Sequence, residues 1–150
     1  MQIAATGVNF MDTGARRFGA AGLGLSFIPG VEAAGRVTAL GEGVTEFAAG
    51  DRVAWVYAYG SYAEQVAVPV ASAVPVPAAI SDEIAASVMM QGLSAHHFAT
   101  EAYPVQPGDV AVVHAAAGGV GRLVTQPPSH CTPGVAALAR DLGRAGWGGR

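Results

Sequence analysis

Short β-like stretches rich in valine and alanine, separated by glycine-containing turns, run through the first half of the chain. Such stretches between turn signals predict strands over 34–40, 52–57 and 63–69. An earlier apolar stretch, Ile3–Val8, predicts one more strand. Several short strands at this spacing favour a small β-barrel or sandwich over residues 1–80.

The apolar period becomes helical after residue 80. Ser81 is a predicted N-cap, and the two acidic residues that follow it suit the first turn of a helix. Gly92 predicts an interruption, and Ser94 the start of a second helix that runs towards Tyr103. The first helix is expected to bury one face made of Ile84, Ala85, Val88 and Met89.

A strand–turn–helix pattern occupies residues 110–126. The continuous apolar run Val110–His114 predicts a strand buried on both faces. The small residues 115–121 predict a tight loop, and a helix is expected from Val120 to Gln126. Pro127 ends this helix because proline lacks the N–H that the helical hydrogen bond needs. The remaining segment, 127–150, is rich in Pro, Gly and Arg and is predicted to be a poorly ordered tail.

Composition and charge exclude several classes of partner. The chain is 51% hydrophobic and only 13% charged, so it has ample material for a core. Its net charge is −3 and its basic residues, all arginines, form no patch, which argues against nucleic-acid binding. No apolar run reaches the length of a membrane span, and the start has no signal-peptide pattern. The single cysteine, Cys131, fits a cytoplasmic protein without disulfides.

The small-residue loop carries the sharpest chemical pattern. Ala116, Gly118 and Gly121 form A-x-G-x-x-G, a variant of the G-x-G-x-x-G dinucleotide fingerprint. Gly118 permits close approach of the backbone to a pyrophosphate, and Gly121 permits close packing of the helix. A strand–helix turn that merely needs small residues remains an alternative. The acidic or basic residue expected about 20 positions later, for the ribose, is absent.

Several collinear segments together resemble the quinone oxidoreductases, the zeta-crystallin-like branch of the zinc-free medium-chain dehydrogenase/reductase superfamily. Pro107–Gly121 resembles their cofactor-binding segment, and Pro29–Val37 resembles the superfamily pattern P-G-x-E-x-x-G-x-V. Gly41–Val44, Gly50–Val53 and Gly60–Glu64 continue the likeness in order. The resemblance covers residues 3–126.

The resemblance implies an α+β, mostly β fold. Residues 1–80 are expected to form a GroES-like β-barrel without its first strands, and residues 81–126 the linking helices and the start of a truncated Rossmann domain. The tail 127–150 does not resemble the family, and a frameshift or gene truncation is our hypothesis for it. Full-length relatives are expected to be homodimers.

The activity that the resemblance implies is NADPH-dependent reduction of a quinone or an α,β-unsaturated carbonyl by hydride transfer without metal. The alternative is a catalytically inactive, truncated GroES-like fragment. Zinc alcohol dehydrogenases have a cysteine ligand soon after a Gly-Val pair, whereas here Gly7 and Val8 are followed by Asn9. No metal site is therefore expected, and the adjacent His96 and His97 are interpreted as ordinary helix histidines, since neighbouring helical side chains diverge.

By the same resemblance, Asn9 is expected to be catalytic and to contact the cofactor, and Ser94 to contact the cofactor. The pyrophosphate is expected at Ala117, Gly118, Gly119, Val120 and Gly121. Helix or turn capping remains an alternative for Asn9, for Ser94 and for Asp12. Glu32 and Glu64 are interpreted as structural carboxylates. Three tyrosines are interpreted as buried barrel residues rather than as the walls of a substrate cleft: Tyr57, Tyr59 and Tyr62.

Overall fold

A computed structural model describes residues 1–19, 26–104 and 111–126. The chain divides into two compact units, unit 1 over Met1–Met90 and unit 2 over Gln91–Arg150. Each unit is described by itself. The tail 127–150 with Cys131, and the first residue of the predicted strand at 110, lie outside the described residues.

Unit 1 is built on a four-stranded antiparallel sheet whose strands follow one another in chain order. The strands are β1 (Gln2–Thr6), β2 (Glu32–Arg36), β3 (Arg52–Val56) and β4 (Ala73–Pro75). The strands are antiparallel neighbours joined by long connections, the first of which contains a helix. The mostly β prediction for the first part of the chain is confirmed.

Strand boundaries differ from the sequence prediction in three places. The strand predicted over 34–40 ends at Arg36, because its partner strand begins only at Arg52, directly opposite. No strand forms over 63–69; this segment makes one isolated bridge, from Gln65 to Gln2. The strand Ala73–Pro75 was not predicted. It lies at the edge of the sheet, where a proline is tolerated because no further strand needs its N–H.

The two faces of the sheet bury different side chains, as the alternation of side chains along a strand requires. One face carries the largest buried residue, Trp55, packed among Ala33, Val37, Val53 and Ala58. The other face carries a cluster of small residues, Ala34 and Ala54, against which Ala85 and Ala86 of a helix pack. Small residues on both sides allow this helix to approach the sheet closely.

Three α-helices are described: α1 (Phe10–Phe18), α2 (Asp82–His97) and α3 (Gly119–Val124). The Ser81 hydroxyl accepts the N–H of Ile84 at 3.3 Å, which confirms Ser81 as the N-cap of α2. The predicted break at Gly92 is wrong: α2 continues through it to His97 and is followed by one π-helical turn, Phe98–Ala102. A single helical glycine costs only about 1 kcal/mol relative to alanine, which packing readily offsets.

The buried face of α2 is rotated from the predicted one. Ala85 is buried as expected and Met89 packs on the alanine cluster. Ile84 and Val88 are exposed, with 52% and 37% of their surface accessible, so this part of the prediction is wrong. The neighbouring pair Ala85 and Ala86 points to the sheet instead, because only small side chains fit the close helix–sheet contact.

Arg52 attaches the start of α2 to the sheet. Its Nε and Nη2 donate to Asp82 Oδ1 at 3.0 and 2.6 Å, and Nη2 also donates to the Ile80 carbonyl at 2.7 Å. Both charged side chains are largely buried, so solvent screens this ion pair less than a surface pair. The contact holds the first turn of α2 beside β3.

The described part of unit 2 contains the end of α2, the π-helical turn and α3. Of the predicted strand Val110–His114, the described residues contain one bridge residue, Val112, which is 65% exposed. The expectation that this segment is buried on both faces is therefore wrong for Val112. No helix among the described residues is long and apolar enough to cross a membrane.

Candidate functional site

Asn9 lies in the turn between β1 and α1, at the N-cap position of α1. Its backbone N–H donates to Asp12 Oδ2 at 2.8 Å, and the Asp12 N–H donates back to the Asn9 carbonyl at 3.0 Å. Asp12 therefore supports the start of α1 from its third residue, which is the acidic half of a capping box. The helix begins at Phe10, directly after its N-cap residue Asn9.

Glu32, the first residue of β2, is fully buried beside this turn. Its Oε1 accepts the side-chain Nδ2 of Asn9 at 2.7 Å, and its Oε2 accepts the backbone N–H of Met90 in α2 at 2.7 Å. A buried carboxylate is tolerated only when hydrogen bonds replace its hydration, and these two bonds do so. The prediction that Glu32 is a structural carboxylate did not identify either partner.

The close approach of Glu32 also explains Gly7. A Cβ built on Gly7 would lie 2.3 Å from Glu32 Oε1, a distance that no real side chain tolerates. Glycine at this position therefore makes room for the carboxylate next to Asn9. The first residue of the Gly-Val-Asn segment must be small because it packs against Glu32, a contact that the sequence does not show.

Tyr62 extends the polar network on the other side of Asp12. Its hydroxyl donates to Asp12 Oδ2 at 2.7 Å, the same oxygen that accepts the Asn9 N–H. Burial raises the pKa of the Tyr62 hydroxyl from 10.0 to about 12, and the hydrogen bond to Asp12 together with the charges of Asp12 and Glu32 act in the same direction. Tyr62 thus remains a hydrogen-bond donor at all physiological pH values.

The raised pKa of Tyr62 predicts a separate titration step in alkali. Of the four tyrosines, one should ionise near pH 12, and this step should disappear in Tyr62→Phe. The folded state holds the Tyr62 proton more tightly than the unfolded state does. The contribution of Tyr62 to the free energy of unfolding should therefore be fully present below pH 10 and be lost as the pH rises towards 12. Ultraviolet absorbance of tyrosinate measures the titration, and Tyr103→Phe is the control. A titration step near pH 12 that persists in Tyr62→Phe would contradict the assignment.

Three tyrosines near the end of β3 are more exposed than the sequence interpretation allowed. Tyr57, Tyr59 and Tyr62 are 67%, 39% and 37% accessible, so they are not buried barrel aromatics. The sheet ends at Val56, and Tyr57 then takes a left-handed backbone conformation with φ of 60°. Few non-glycine residues adopt this conformation, and it turns the chain away from the sheet.

The predicted nucleotide-binding loop lies in unit 2, just before α3. The Gly118 N–H donates to the Ala115 carbonyl at 2.8 Å and closes a tight turn, and the Arg122 N–H donates to the Gly118 carbonyl at 2.9 Å and opens the helix. The N–H groups of residues 119–121 precede this first intrahelical bond. Such N–H groups have no acceptor within their own helix, so an anion at this end would find donors.

Close contacts explain the small residues of this turn. A Cβ on Gly121 would lie 2.3 Å from the Ala115 carbonyl oxygen and 2.7 Å from Ala116 Cα, so helix and turn could not come together. A Cβ on Gly119 would lie 2.8 Å from Gln91 Cγ. Gly118 is exposed, and its backbone conformation is one that other residues also adopt. The backbone angle therefore does not require glycine at this position. A compact turn with an open backbone fits a pyrophosphate group.

The structure separates the predicted site residues into two groups. Asn9 belongs to unit 1, whereas Ser94 and the five loop residues Ala117–Gly121 belong to unit 2. Ser94 lies within α2 and is half-buried, so the alternative that it caps a second helix is wrong. Sequence reasoning missed Met90, whose backbone N–H carries no residue-specific signal. Within the described residues, no group of three or more His, Cys, Asp and Glu side chains is placed to hold a metal ion.

The chain resembles known proteins both within residues 1–78 and beyond them. Residues 1–78 match the alcohol dehydrogenase GroES-like domain. A probable quinone oxidoreductase of Schizosaccharomyces pombe is 46% identical over 121 residues, which are 80% of this chain and 36% of that protein. The chain thus spans about a third of the length of this curated relative.

Two solved structures have the same fold over most of the chain. Escherichia coli quinone oxidoreductase complexed with NADPH is 36% identical with a TM-score of 0.78, over 82% of this chain and 38% of that one. A mycobacterial protein complexed with NADPH is 41% identical with a TM-score of 0.82, over 91% of this chain and 42% of that one.

Proposed function

The chain belongs to the quinone oxidoreductase branch of the medium-chain dehydrogenase/reductase superfamily, with its GroES-like domain, and from this premise we propose that it serves NADPH-dependent reduction of a quinone or enone. The family resemblance and the GroES-like fold class expected from the sequence are thereby confirmed. The oxidoreductase activity itself, its cofactor and its substrate are proposals for this chain.

The observation that carries the proposal is the compact turn before α3. Its glycines let the turn close tightly against the start of α3, residues 117–119 are exposed, and the N–H groups of residues 119–121 lie ahead of the first intrahelical bond. We assign Ala117–Gly121 to the pyrophosphate of NADPH, and Ser94 to a further contact with the cofactor. The bound cofactor supplies the hydride, which is chemistry that no side chain of this protein can supply.

Asn9, in unit 1, is assigned to contact with the substrate and the nicotinamide. Its side-chain amide is held by Glu32 in a buried turn, so it is oriented before any ligand arrives. An oriented amide stabilises developing charge on a carbonyl oxygen better than a mobile one, because no reorganisation is needed during the reaction. Small-molecule quinones and enones are the substrates that this polar but metal-independent arrangement suits.

Binding of NADPH to the purified 150-residue chain tests the proposal. Fluorescence titration is expected to show saturable binding, and Gly118→Asp should weaken it at least about ten-fold, which corresponds to about 1.4 kcal/mol. The aspartate adds a negative charge beside the phosphates and a Cβ only 3.1 Å from the Ala115 carbonyl oxygen. Loss of nicotinamide absorbance in the presence of a quinone then measures turnover.

Gly41→Asp is the matched control, since it adds the same charge at an exposed turn of unit 1 where a Cβ meets only Val44 at 3.9 Å. It should bind NADPH like the wild type. Equal binding of NADPH by the wild type and by Gly118→Asp would show that the loop does not bind the cofactor. A chain that is folded by circular dichroism but shows no saturable binding would refute NADPH-dependent activity of this polypeptide.

A further inference from the structure

The buried carboxylate of Glu32 does more than fill space between strand and helix. Its two oxygens accept from two different donors, the Asn9 side-chain amide and the Met90 backbone N–H, each at 2.7 Å. These donors lie 23 and 58 residues away from it in sequence. One side chain thus links the β1–α1 turn to the middle of α2.

The chemistry of the contact determines how the Asn9 amide is turned. An asparagine side chain has a donor end, Nδ2, and an acceptor end, Oδ1, of nearly equal size. With Nδ2 towards Glu32, the amide makes a hydrogen bond to a carboxylate oxygen. With Oδ1 towards Glu32, two acceptors would face each other inside the protein, and neither would be satisfied. The contact with Glu32 therefore turns Nδ2 towards the carboxylate, and in this orientation the Asn9 side chain also accepts the Asp12 N–H of the capping box.

We infer that Glu32 is a positioning residue for the reaction: it holds the Asn9 amide in one of its two orientations and ties that orientation to the backbone of α2 at Met90. The role in the reaction rests on the proposed function, whereas the orientation of Asn9 is independent of any cofactor. Glu32 itself lies fully buried and acts only through Asn9.

The orientation can be measured without cofactor, because Asn9 is the only asparagine of the chain. Labelling with ¹⁵N-asparagine gives a single side-chain amide signal in a nuclear magnetic resonance spectrum. One of its two protons should exchange with solvent at least about ten-fold more slowly than in an exposed amide, as expected for a buried hydrogen bond to a charged group. Glu32→Ala, which removes both acceptor oxygens, should abolish this protection, whereas Glu42→Ala, at an exposed turn, should preserve it.

The outcome of this measurement is decisive for the contact. Equal exchange in the wild type and in Glu32→Ala would overturn the inference, whatever the chain does with NADPH. Protection in the wild type with no NADPH binding would leave the orientation of Asn9 established while refuting the proposed function. The two failures are therefore distinguishable.

A double variant separates positioning from mere stability. Asn9→Asp alone places two carboxyl groups against each other, and Glu32→Gln alone removes one acceptor, so each should lower the melting temperature. In Asn9→Asp/Glu32→Gln, the glutamine oxygen can accept from Met90, and the glutamine amide can donate to the new carboxylate at position 9. This arrangement restores both bonds with the polarity of one reversed. The melting temperature should return most of the way to that of the wild type.

Quinone reduction should not return with it, since position 9 no longer offers an amide. An at least about ten-fold deficit in kcat is expected in the folded double variant, which is the scale of one lost polar contact to a reacting group. Recovery of kcat together with the melting temperature would show that Glu32 is only structural. A double variant no more stable than either single variant would show that the two side chains are not coupled.

Discussion

Replacing Trp55 by alanine is expected to lower the free energy of unfolding of unit 1 by about 3–5 kcal/mol, the largest stability loss of any single truncation here. Trp55 is completely buried and is the largest side chain in the core on its face of the sheet. Its removal leaves a cavity between Val37, Val53 and Ala58, which the rigid strands cannot fill. Urea denaturation followed by circular dichroism measures the loss.

Trp55→Phe is the matched control, because it keeps an aromatic ring and removes the indole N–H. That N–H donates to the Ser61 hydroxyl at 3.0 Å, and Ser61 is itself fully buried. The loss of one buried hydrogen bond and some volume should cost about 1–2 kcal/mol. A loss below about 1 kcal/mol in Trp55→Ala would contradict the burial that the structure assigns to this side chain.

Gly35→Ala is expected to destabilise unit 1 by about 3 kcal/mol, at the upper end of the cost of overpacking. A Cβ at Gly35 would lie 2.0 Å from the Gln2 carbonyl oxygen, which is backbone of the neighbouring strand. Gly35 faces Ile3 in β1 and Val53 in β3, so β1 must move away from the sheet. Hydrogen exchange should therefore quicken for the amides of β1 more than for those of β3.

Gly41→Ala provides the comparison for this substitution. A Cβ there meets only Val44 Cγ2 at 3.9 Å, an ordinary contact, so stability should change by less than about 0.5 kcal/mol. Equal stability of the Gly35 and Gly41 variants would mean that the close contact of β1 and β2 is wrong. A large loss confined to Gly35 would show that this glycine of the P-G-x-E-x-x-G-x-V pattern is required for strand packing.

The segment Pro29–Val37 illustrates how far sequence reasoning reaches. Its pattern resembles that of the superfamily, and the match of residues 1–78 to the GroES-like domain agrees with it. The pattern did not reveal that Gly35 is needed for contact with Gln2, or that Glu32 binds Asn9 and Met90. Each of these reasons depends on a residue elsewhere in the chain, which no local pattern contains.

Three local features could be predicted from the sequence alone: a β-rich first part, a helix capped by Ser81, and a compact glycine turn before α3. Membership of the family could be predicted as well. These follow from the period of apolar residues, from capping chemistry and from small residues in order along the chain. Four other features became visible only in the three-dimensional structure: the ends of the strands, the buried face of α2, the exposure of Tyr57 and the partners of Glu32. Those features depend on strand register and on close packing, which bring together donors and acceptors 23 and 58 residues apart.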